Sequence, residues 1–383
     1  MHTITRTPLP VVELLSELIR WPTVSSDSAT NAAALDWIEA QLQGLPLNIK
    51  RLDNNGVPAL IATTPAADPN NPRLWLAGHI DVVPARPDHF QPRIEAGRLI
   101  GRGAYDMKYA VACFIRLLQE LGPDLADYDL GLLLTCDEET GGTAGARWLV
   151  DDLGYRGQTV LLPECGTSWT IETAAKGTTS WHLRARGIAG HASRPWHADN
   201  AIDQLTAFVS HLKTNVPAEP CGDEDHIHCT VSLGHINAGS VSNQIPDHAE
   251  GLLDIRLAPG TSLEEVQGWL EAATRAVPGV SATLMHGTAA TINPLEGPAA
   301  IFAATVRDVN GRQLTPMLSH GASDGRYFNK YAIPVISVPP TGGGQHSSHE
   351  WIDLESLGEY YEITRRFTKV WAGPGRRQTP SSR

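Results

Sequence analysis

Residues 129–142, DLGLLLTCDEETGG, join a continuous apolar run to three consecutive acidic side chains and a pair of glycines. The apolar run at 130–134 is typical of a strand that is covered on both faces, as in a parallel sheet. Asp137, Glu138 and Glu139 follow where that strand must end. Because adjacent carboxylates repel one another, their position calls for a chemical explanation.

Apolar strands alternate with helical periodicity along much of the chain. This alternation predicts an α/β fold with a mixed, mostly parallel sheet flanked by helices. Residues 175–288 instead follow the order β-α-β-β-α-β, which predicts a small α+β domain, ferredoxin-like in its order. The expected division is a main domain of 1–174 and 289–372, an inserted domain of 175–288, and a flexible tail of 373–383.

Helical spacing of apolar residues identifies several individual helices. In the segment at 262–277, Ser262 precedes Glu264 and Glu265, a typical N-terminal cap. The helices predicted in this way include 10–20, 30–43, 143–153, 200–216 and 262–277.

Length and composition limit the class of protein. A chain of 383 residues is too long for one typical core, so two domains are expected. A net charge of −12, without a long run of Lys or Arg, argues against a nucleic-acid or polybasic membrane partner. No stretch reaches ~18 consecutive apolar residues, so no membrane span is expected.

Cysteine usage and the first residues indicate a cytoplasmic protein. The five cysteines form no CxxC pair and are odd in number, which favours reduced thiols over a disulfide framework. The stretch MHTITRTPLPVVELLSELIRW lacks the basic start and apolar core of a signal peptide. Any metal site would therefore use His, Asp and Glu.

Histidines and carboxylates recur near the ends of the predicted strands. In a parallel sheet the carboxyl ends of the strands share one edge, where ligand crevices form. Side chains from distant parts of the sequence are therefore expected to meet there. The residues concerned are His79, Asp81, Asp106, Glu138, Glu139, Glu164 and His346.

Imidazoles and carboxylates without thiolates suit zinc, manganese or cobalt. Their number exceeds the needs of one ion and fits two ions ~3.5–4 Å apart that share a carboxylate and a water. A strand end that enters a glycine turn can aim neighbouring side chains differently. Glu139 can then bind a cation while Glu138 accepts a proton from the shared water. This arrangement explains the run of acids.

Eight motifs in order resemble those of the M20 metallopeptidase/deacylase family, which includes acetylornithine deacetylases, succinyl-diaminopimelate desuccinylases, aminoacylases and glutamate carboxypeptidases. The resemblance extends over nearly the whole chain. It implies a zinc aminopeptidase-like catalytic domain and an inserted lid or dimerisation domain. The motifs are GHIDVVP, GRGAYDMK, DEETGG, PECGT, GIAGHAS, NQIPDHAEGLLDIRL, GASDGRYF and QHSSHE.

Carried over by position, the resemblance implies a role for each of the acids and histidines. His79 and Glu164 would complete one metal site, Glu139 and His346 the other, and Asp106 would bridge them. Glu138 would be the general base. Asp81 would orient His79 through its second ring nitrogen.

The inserted domain contributes three further residues through the resemblance. His191 would steady the oxyanion in a neighbouring subunit's active site, and Asn243 and Arg256 would hold the substrate carboxylate. Each also has an ordinary alternative, namely a loop histidine, a turn asparagine and a surface ion pair. Asp324 and Arg326 are expected to form a structural pair, with no direct part in catalysis.

The sequence departs from common family residues at Ile80, Tyr109, Cys165 and Ala322, so the substrate branch stays open. Cys165 adjoins a predicted ligand but has no base at suitable spacing to make it a nucleophile.

The predicted function is a two-metal hydrolase that cleaves the amide bond of small, carboxylate-bearing N-acyl amino acids or dipeptides. Zinc is the expected ion, with cobalt or manganese as alternatives, and the resemblance implies a homodimer formed through the inserted domain. Three alternatives remain open. They are an exo-acting carboxypeptidase or dipeptidase, a catalytically inactive metal-binding partner protein, and acyl transfer to an amine.

Overall fold

The computed structural model describes residues 9–164, 166–217 and 228–375. Cys165, Cys221 and most of the predicted tail at 373–383 lie outside these residues. Within them, no helix is both long and apolar enough to cross a membrane. The described cysteines, Cys113, Cys136 and Cys229, are buried free thiols.

The helices agree closely with those expected from apolar periodicity, apart from the short α7, which was not predicted, and the segment at 143–153 described below. Their bounds are α1 (Leu9–Arg20), α2 (Ser28–Gln41), α3 (Lys108–Leu121), α4 (Ala201–Asn215), α5 (Leu263–Ala276), α6 (Gly297–Asn310), α7 (Gly325–Asn329) and α8 (Leu354–Ala372).

The strands vary from two-residue bridges to ten-residue runs. Their bounds are β1 (Asn48–Asn54), β2 (Val57–Thr63), β3 (Leu74–His79), β4 (Arg93–Glu95), β5 (Arg98–Ile100), β6 (Leu130–Thr135), β7 (Val160–Leu161), β8 (Thr170–Ala175), β9 (Gly177–Arg186), β10 (Gly190–His191), β11 (Thr230–Ala238), β12 (Gln244–Ile245), β13 (His248–Leu257), β14 (Val280–Thr288), β15 (Thr291–Ile292), β16 (Thr315–Ser319), β17 (Val335–Ile336), β18 (Gly342–Gly343) and β19 (Trp351–Asp353).

The described residues divide into two compact units. The larger is drawn from Met1–Thr173, Asn293–Met317 and Ser323–Arg383, and the smaller from Ala174–Ile292 and Leu318–Ala322. Each unit has its own hydrophobic core.

The larger unit is built on a six-stranded sheet in the order β1-β2-β6-β3-β7-β17. The pairs β6–β3, β3–β7 and β7–β17 are parallel, and β1–β2 and β2–β6 are antiparallel. Every residue of β3 and β6 is buried, as expected for strands covered on both faces. The mixed, mostly parallel α/β fold predicted from the sequence is confirmed.

Helices cover this sheet. The helix α3 packs on β3 and contacts α1 and α8, whereas α2 packs on β2. Close approach inside the sheet requires a glycine at position 131, because a Cβ there would overlap the indole ring of Trp75 on the neighbouring strand. The carboxyl ends of β3, β6 and β7 consequently lie side by side along one edge.

The smaller unit has a four-stranded antiparallel sheet in the order β11-β13-β9-β14. Its elements follow the chain order β9-α4-β11-β13-α5-β14, which is the β-α-β-β-α-β order expected from the sequence. Residues of β9 alternate between buried and more exposed, so one face of the sheet is covered. The cap expected at Ser262 is present as a capping box with Glu265.

The predicted helix at 143–153 is shorter than expected and only partly α-helical. Residues 143–145 form turns, residues 146–147 are α-helical, and Trp148–Asp152 is π-helical. Asp137 Oδ2 accepts hydrogen bonds from the amides of Ala144 (2.8 Å) and Gly145 (3.0 Å). These bonds tie the start of the segment back to the turn after β6, so the helix begins later than its apolar pattern predicts.

Candidate metal centre

Three parallel strands deliver side chains to one edge of the large sheet. His79 is the last residue of β3, and its register partner Thr135 is the last residue of β6. Glu138 begins a 3₁₀ turn, Glu138–Thr140, directly after β6, and Glu164 follows β7. The expectation that strand ends would bring these residues together is met by the fold.

Asp106 lies on a loop between β5 and α3 that is fixed by Glu350. Glu350 Oε1 accepts the amides of Tyr105 and Asp106, both at 2.9 Å. Glu350 Oε2 accepts the amide of Gly103 (2.9 Å) and a guanidinium hydrogen of Arg102 (2.7 Å). One buried carboxylate therefore organises four donors of this loop.

Strand pairing brings Glu350 to that loop. The strand β19 pairs antiparallel with β5, with Trp351 opposite Ile100. His346 lies in the connection between β18 and β19 and has a left-handed backbone, with φ of 60°. The same connection thus carries both His346 and the carboxylate that holds the loop of Asp106.

Asp106 lies between the two histidines. Its Oδ1 is 3.3 Å from His79 Nε2, and its Oδ2 is 3.3 Å from His346 Nε2. His346 Nε2 is also 3.0 Å from Glu139 Oε2, and His79 Nε2 is 4.0 Å from Glu164 Oε1. A carboxylate with one oxygen directed at each of two imidazoles has the shape of a bridging ligand.

Two groups of side chains are close enough to hold a metal ion. One consists of His79, Glu138 and Glu164, and the other of Asp106, Glu139 and His346. Within each group, one potential ligand atom from every residue lies within 4.8 Å of the others. Glu138 and Glu139, adjacent in sequence, therefore belong to different groups.

Asp81 contacts both His79 and the acidic turn. Its backbone oxygen is 3.0 Å and its Oδ1 is 3.4 Å from His79 Nδ1, the ring nitrogen opposite Asp106. Its two carboxylate oxygens accept the amides of Glu138 and Glu139, each at 3.2 Å. Ser25 donates a further hydrogen bond of 2.7 Å to Asp81 Oδ2. Asp81 is fully buried, so these bonds fix both the imidazole and the turn.

The centre contains more carboxyl groups than imidazoles, and the pKa values of the carboxyl groups reflect this excess. Burial raises the pKa of Glu139 to about 7, and the Asp106 carboxylate adds to that rise. Burial also raises the pKa of Glu164 well above its ordinary value, with a contribution from Glu138, whose own pKa is raised by burial. Carboxyl groups whose pKa is raised because they are buried close together would be stabilised in their ionised form by a nearby cation.

The histidines respond to the same surplus of negative charge. Burial disfavours the charged imidazole of His79, but the carboxylates of Asp106 and Asp81 raise its pKa well above the ordinary value. Burial opposes the ionisation of Asp106, yet His346 and His79 bring its pKa well below the usual range.

The residues present fit divalent metal ions. Glu164 Oε2 and His79 Nε2 are buried and make no hydrogen bond of regular geometry within the described residues. Imidazole nitrogen and carboxylate oxygen suit zinc, cobalt or manganese. Unpartnered ligand atoms that point into a cluster of carboxylates are the polar groups that a bound cation would satisfy.

The three residues expected to contact the substrate lie in the smaller unit. His191 ends β10 and pairs with Gln244, the residue after Asn243, and the Asn243 carbonyl accepts the amide of Ala192 (3.0 Å). His191 is exposed, with Ser193 Oγ 2.8 Å from its Nδ1. These bonds bring His191 and Asn243 together.

Arg256 is on β13 of the same unit, where its Nε donates to Asp254 Oδ1 at 2.8 Å. The ion pair that the sequence left as an ordinary alternative for Arg256 is thus present. Both side chains are partly exposed.

Sequence reasoning missed three residues that contact this centre. Glu350 was present only as the last residue of the QHSSHE motif, and Ser25 was not singled out. Arg326 was expected to pair with Asp324. The two charges do interact, since burial lowers the pKa of Arg326 but the Asp324 carboxylate helps to raise it above its ordinary value. Within the described residues no hydrogen bond joins the two side chains, and Arg326 Nη2 donates to the carbonyl of Gly141 (2.7 Å). No local pattern signals these contacts, because each joins residues more than 50 positions apart.

Comparison with known proteins identifies the family. The profile of peptidase family M20/M25/M40 matches residues 75–369. A succinyl-diaminopimelate desuccinylase from Halorhodospira halophila is 31% identical over 91% of this chain and 96% of its own length. One from Parvibaculum lavamentivorans is 29% identical over 94% of this chain and 95% of its own.

Solved structures show the same fold. An aminopeptidase from Bacillus cereus has a TM-score of 0.76 at 18% identity, with 95% of this chain and 99% of that chain covered. An M20 family metallo-carboxypeptidase from Sulfolobus solfataricus has a TM-score of 0.73 at 17% identity, covering 94% and 99%. With the profile match and the related sequences, these similarities show that the chain belongs to peptidase family M20/M25/M40 and is a metal-dependent hydrolase.

Proposed function

We propose that this chain is a two-metal hydrolase that cleaves the amide bond of a small N-acyl amino acid bearing a carboxylate. The observation that carries the proposal is Asp106, which faces His79 with one oxygen and His346 with the other, both at 3.3 Å. The names of the related desuccinylases favour an N-succinyl amino acid as substrate.

In this proposal His79, Glu164 and Asp106 would hold one divalent ion, and Glu139, His346 and Asp106 the second. Zinc is the expected metal, with cobalt or manganese as alternatives. Such ions, when bound, polarise the scissile carbonyl and lower the pKa of a water toward ~7.

Glu138 has the role of general base. With Asp106 directed at His79, the ligand set does not require Glu138. Glu138 then accepts a proton from the attacking water at a carboxylate oxygen and delivers it to the departing amine nitrogen. Asp81 holds the His79 ring and the amide of Glu138 in position during both transfers.

The remaining roles belong to the inserted domain. We propose 1–174 and 289–372 as the catalytic domain and 175–288 as a lid and dimerisation domain, with a tail at 373–383. In a cytoplasmic homodimer, His191 of one copy would donate to the developing oxyanion in the other copy. Asn243 and Arg256 would bind the substrate carboxylate, which a guanidinium can contact through two hydrogen bonds.

The experiment is a substrate panel on protein reconstituted with Zn²⁺ or Co²⁺. N-succinyl and N-acetyl amino acids, dipeptides, and a substrate with its carboxylate blocked as the methyl ester make up the panel. We expect hydrolysis of an N-acyl amino acid, and loss of most of that rate with the ester.

The other outcomes of the panel separate the alternatives. Turnover confined to dipeptides would assign the chain as an exo-acting peptidase. Product that forms only when an amine is supplied would indicate acyl transfer. Metal binding without turnover on any substrate would favour a binding protein, against which the placement of Glu138 argues.

A further inference from the structure

The segment Ser323–Tyr327 of the GASDGRYF motif has no part in the proposed metal or substrate sites. It includes the start of α7, where Arg326 and Tyr327 contact Gly141, the residue that follows the turn carrying Glu138. Arg326 Nη2 donates to the carbonyl of Gly141 at 2.7 Å, and the Tyr327 hydroxyl donates to the same oxygen at 2.6 Å. We call Arg326 and Tyr327, with these two hydrogen bonds, the Gly141 clamp.

The residue whose carbonyl is clamped, Gly141, is also hydrogen-bonded to the backbone of Glu138 through its amide. Gly141 closes the 3₁₀ turn, and its amide donates to the Glu138 carbonyl at 2.7 Å. Gly141 has a φ of 102°, a left-handed conformation that glycine adopts without steric cost. The backbone conformation of Gly141, which lies between its bonded amide and its clamped carbonyl, therefore sets the end of the turn.

The same turn is anchored at its other end by Asp81, which accepts the amides of Glu138 and Glu139. The Gly141 clamp and Asp81 thus hold the turn from two sides. A side chain between two backbone anchors keeps its orientation better than one on a free loop.

The clamp is itself rigid. Tyr327 is buried, and the Arg326 guanidinium lies over its ring, 4.6 Å from the centroid. Arg326 Nη1 donates to the Ser323 carbonyl at 3.0 Å, so both outer nitrogens bind fixed acceptors. Gly142 packs so tightly on Asp324 that a Cβ there would overlap the carboxylate.

We propose that Arg326 and Tyr327 are positioning residues that hold the Glu138 carboxylate in its productive orientation. This inference rests on the proposed role of Glu138 as general base. Displacing a catalytic group by about 1 Å can cost about 10²-fold in rate. Neither clamp residue is itself a candidate metal ligand.

The first experiment measures kcat, KM, bound metal and Tm for Arg326→Ala, Arg326→Lys and Tyr327→Phe. We expect kcat to fall about 10–100-fold in Arg326→Ala, with KM within about twofold and metal content unchanged. Tyr327→Phe should show a smaller loss, about 3–10-fold, because it removes one hydrogen bond, whereas Arg326→Ala removes those to both Gly141 and Ser323. Arg326→Lys, which can donate one bond to Gly141, should recover part of the rate.

Arg147→Ala is the matched control. Arg147 also donates to a carbonyl of this loop, that of Thr143 at 3.0 Å, but it does not contact Gly141. Its removal should leave kcat unchanged. An equal loss of kcat in this variant would overturn the proposal, because general loosening of the loop would then account for the effect.

The second experiment combines Arg326→Ala with Glu138→Gln. If the clamp acts through Glu138, removing Arg326 should not reduce kcat further in a protein that already carries Glu138→Gln. If the two substitutions reduce kcat independently, their fold-losses multiply, and that result would overturn the proposal. If Arg326→Ala does not fold, the same cycle is run with Tyr327→Phe. A wild-type kcat in the Glu138→Gln protein would refute the role of Glu138 as general base. A reduced kcat in Glu138→Gln together with a normal kcat in both clamp variants would refute only the positioning role of Arg326 and Tyr327.

Discussion

Glu138 and Glu139 are neighbours in the sequence, yet they lie in different groups of candidate ligands. A short 3₁₀ turn carries both, and Asp81 accepts the amide of each. The residue between the two groups is Asp106, and its two oxygens are equidistant from two imidazoles. At the scale of single side chains, the proposed chemistry thus depends on one shared carboxylate and one that is left to accept a proton.

Asp106→Asn tests the shared carboxylate. The amide keeps the size of the side chain but loses its charge and one of its two acceptor atoms. We expect bound metal to fall from two ions per chain to one or fewer, with kcat/KM reduced at least about 10³-fold. Metal analysis by plasma mass spectrometry and steady-state kinetics measure both effects.

Asp88→Asn provides the matched control, since Asp88 is exposed and pairs with Arg86 on the surface. It should behave as the wild type. Two bound ions and normal turnover in Asp106→Asn would show that Asp106 is not the bridging ligand.

At the scale of elements, two loops meet because β19 pairs with β5. That pairing brings Glu350 under the loop of Asp106, where it accepts four hydrogen bonds from Arg102, Gly103, Tyr105 and Asp106. Glu350 is buried, and its partner Arg102 is buried as well. The position of Asp106, the proposed bridging ligand, is therefore fixed by a residue more than 200 positions away.

Glu350→Gln should destabilise the metal-free protein by about 2–4 kcal/mol, because one oxygen is replaced by an amide nitrogen that cannot accept and Arg102 loses its buried partner. Urea unfolding of the metal-free protein measures this change. Metal affinity should fall in parallel, since Asp106 is held less firmly. Glu95→Gln, at the exposed Arg93–Glu95 pair, should change stability by no more than about 0.5 kcal/mol. A loss no greater than that control would contradict the role given to Glu350.

Local sequence patterns predicted the helices and strands well where the apolar residues follow one clear pattern. The helices α4 and α5 begin after the capping residues Asn200 and Ser262, and the fully buried strands β3 and β6 read as continuous apolar runs. The rule that parallel strands end at a common edge was enough to bring His79, Glu138 and Glu164 together.

Contacts between distant residues were not predictable from spacing. The hydrogen bonds from Ser25 to Asp81 and from Arg326 to Gly141 form only in the folded structure, and a local sequence pattern does not reveal them. The helix predicted at 143–153 begins late for a more local reason, since Asp137, seven and eight residues earlier, accepts the amides of Ala144 and Gly145.

At the scale of the whole molecule, each of two units has its own core, and the metal candidates all lie in the larger one. Four carboxylates and two imidazoles meet at the edge of its sheet. Burial raises the pKa of three of those carboxyls, so their charge opposes folding unless a cation balances it. Bound metal should therefore stabilise the larger unit.

Removal of metal by a chelator should lower the Tm of the larger unit's transition, and addition of Zn²⁺ or Co²⁺ should restore it. At free metal about 1,000-fold above Kd, the expected stabilisation is about 4 kcal/mol. Differential scanning calorimetry of the two forms measures the change. The Asp106→Asn protein serves as the comparison, since its Tm should respond little to the chelator. Equal Tm values for metal-loaded and metal-free wild type would contradict a structural contribution from the ions.

The most direct test of the two-ion, one-base centre is to measure bound metal and kcat/KM together in Glu138→Gln. We expect two ions per chain, as in the wild type, with kcat/KM lower by about 10²–10⁴-fold because the proton acceptor is gone. Loss of an ion from this variant would make Glu138 a ligand beside His79 and Glu164. Full activity with both ions bound would show that Glu138 is not the general base.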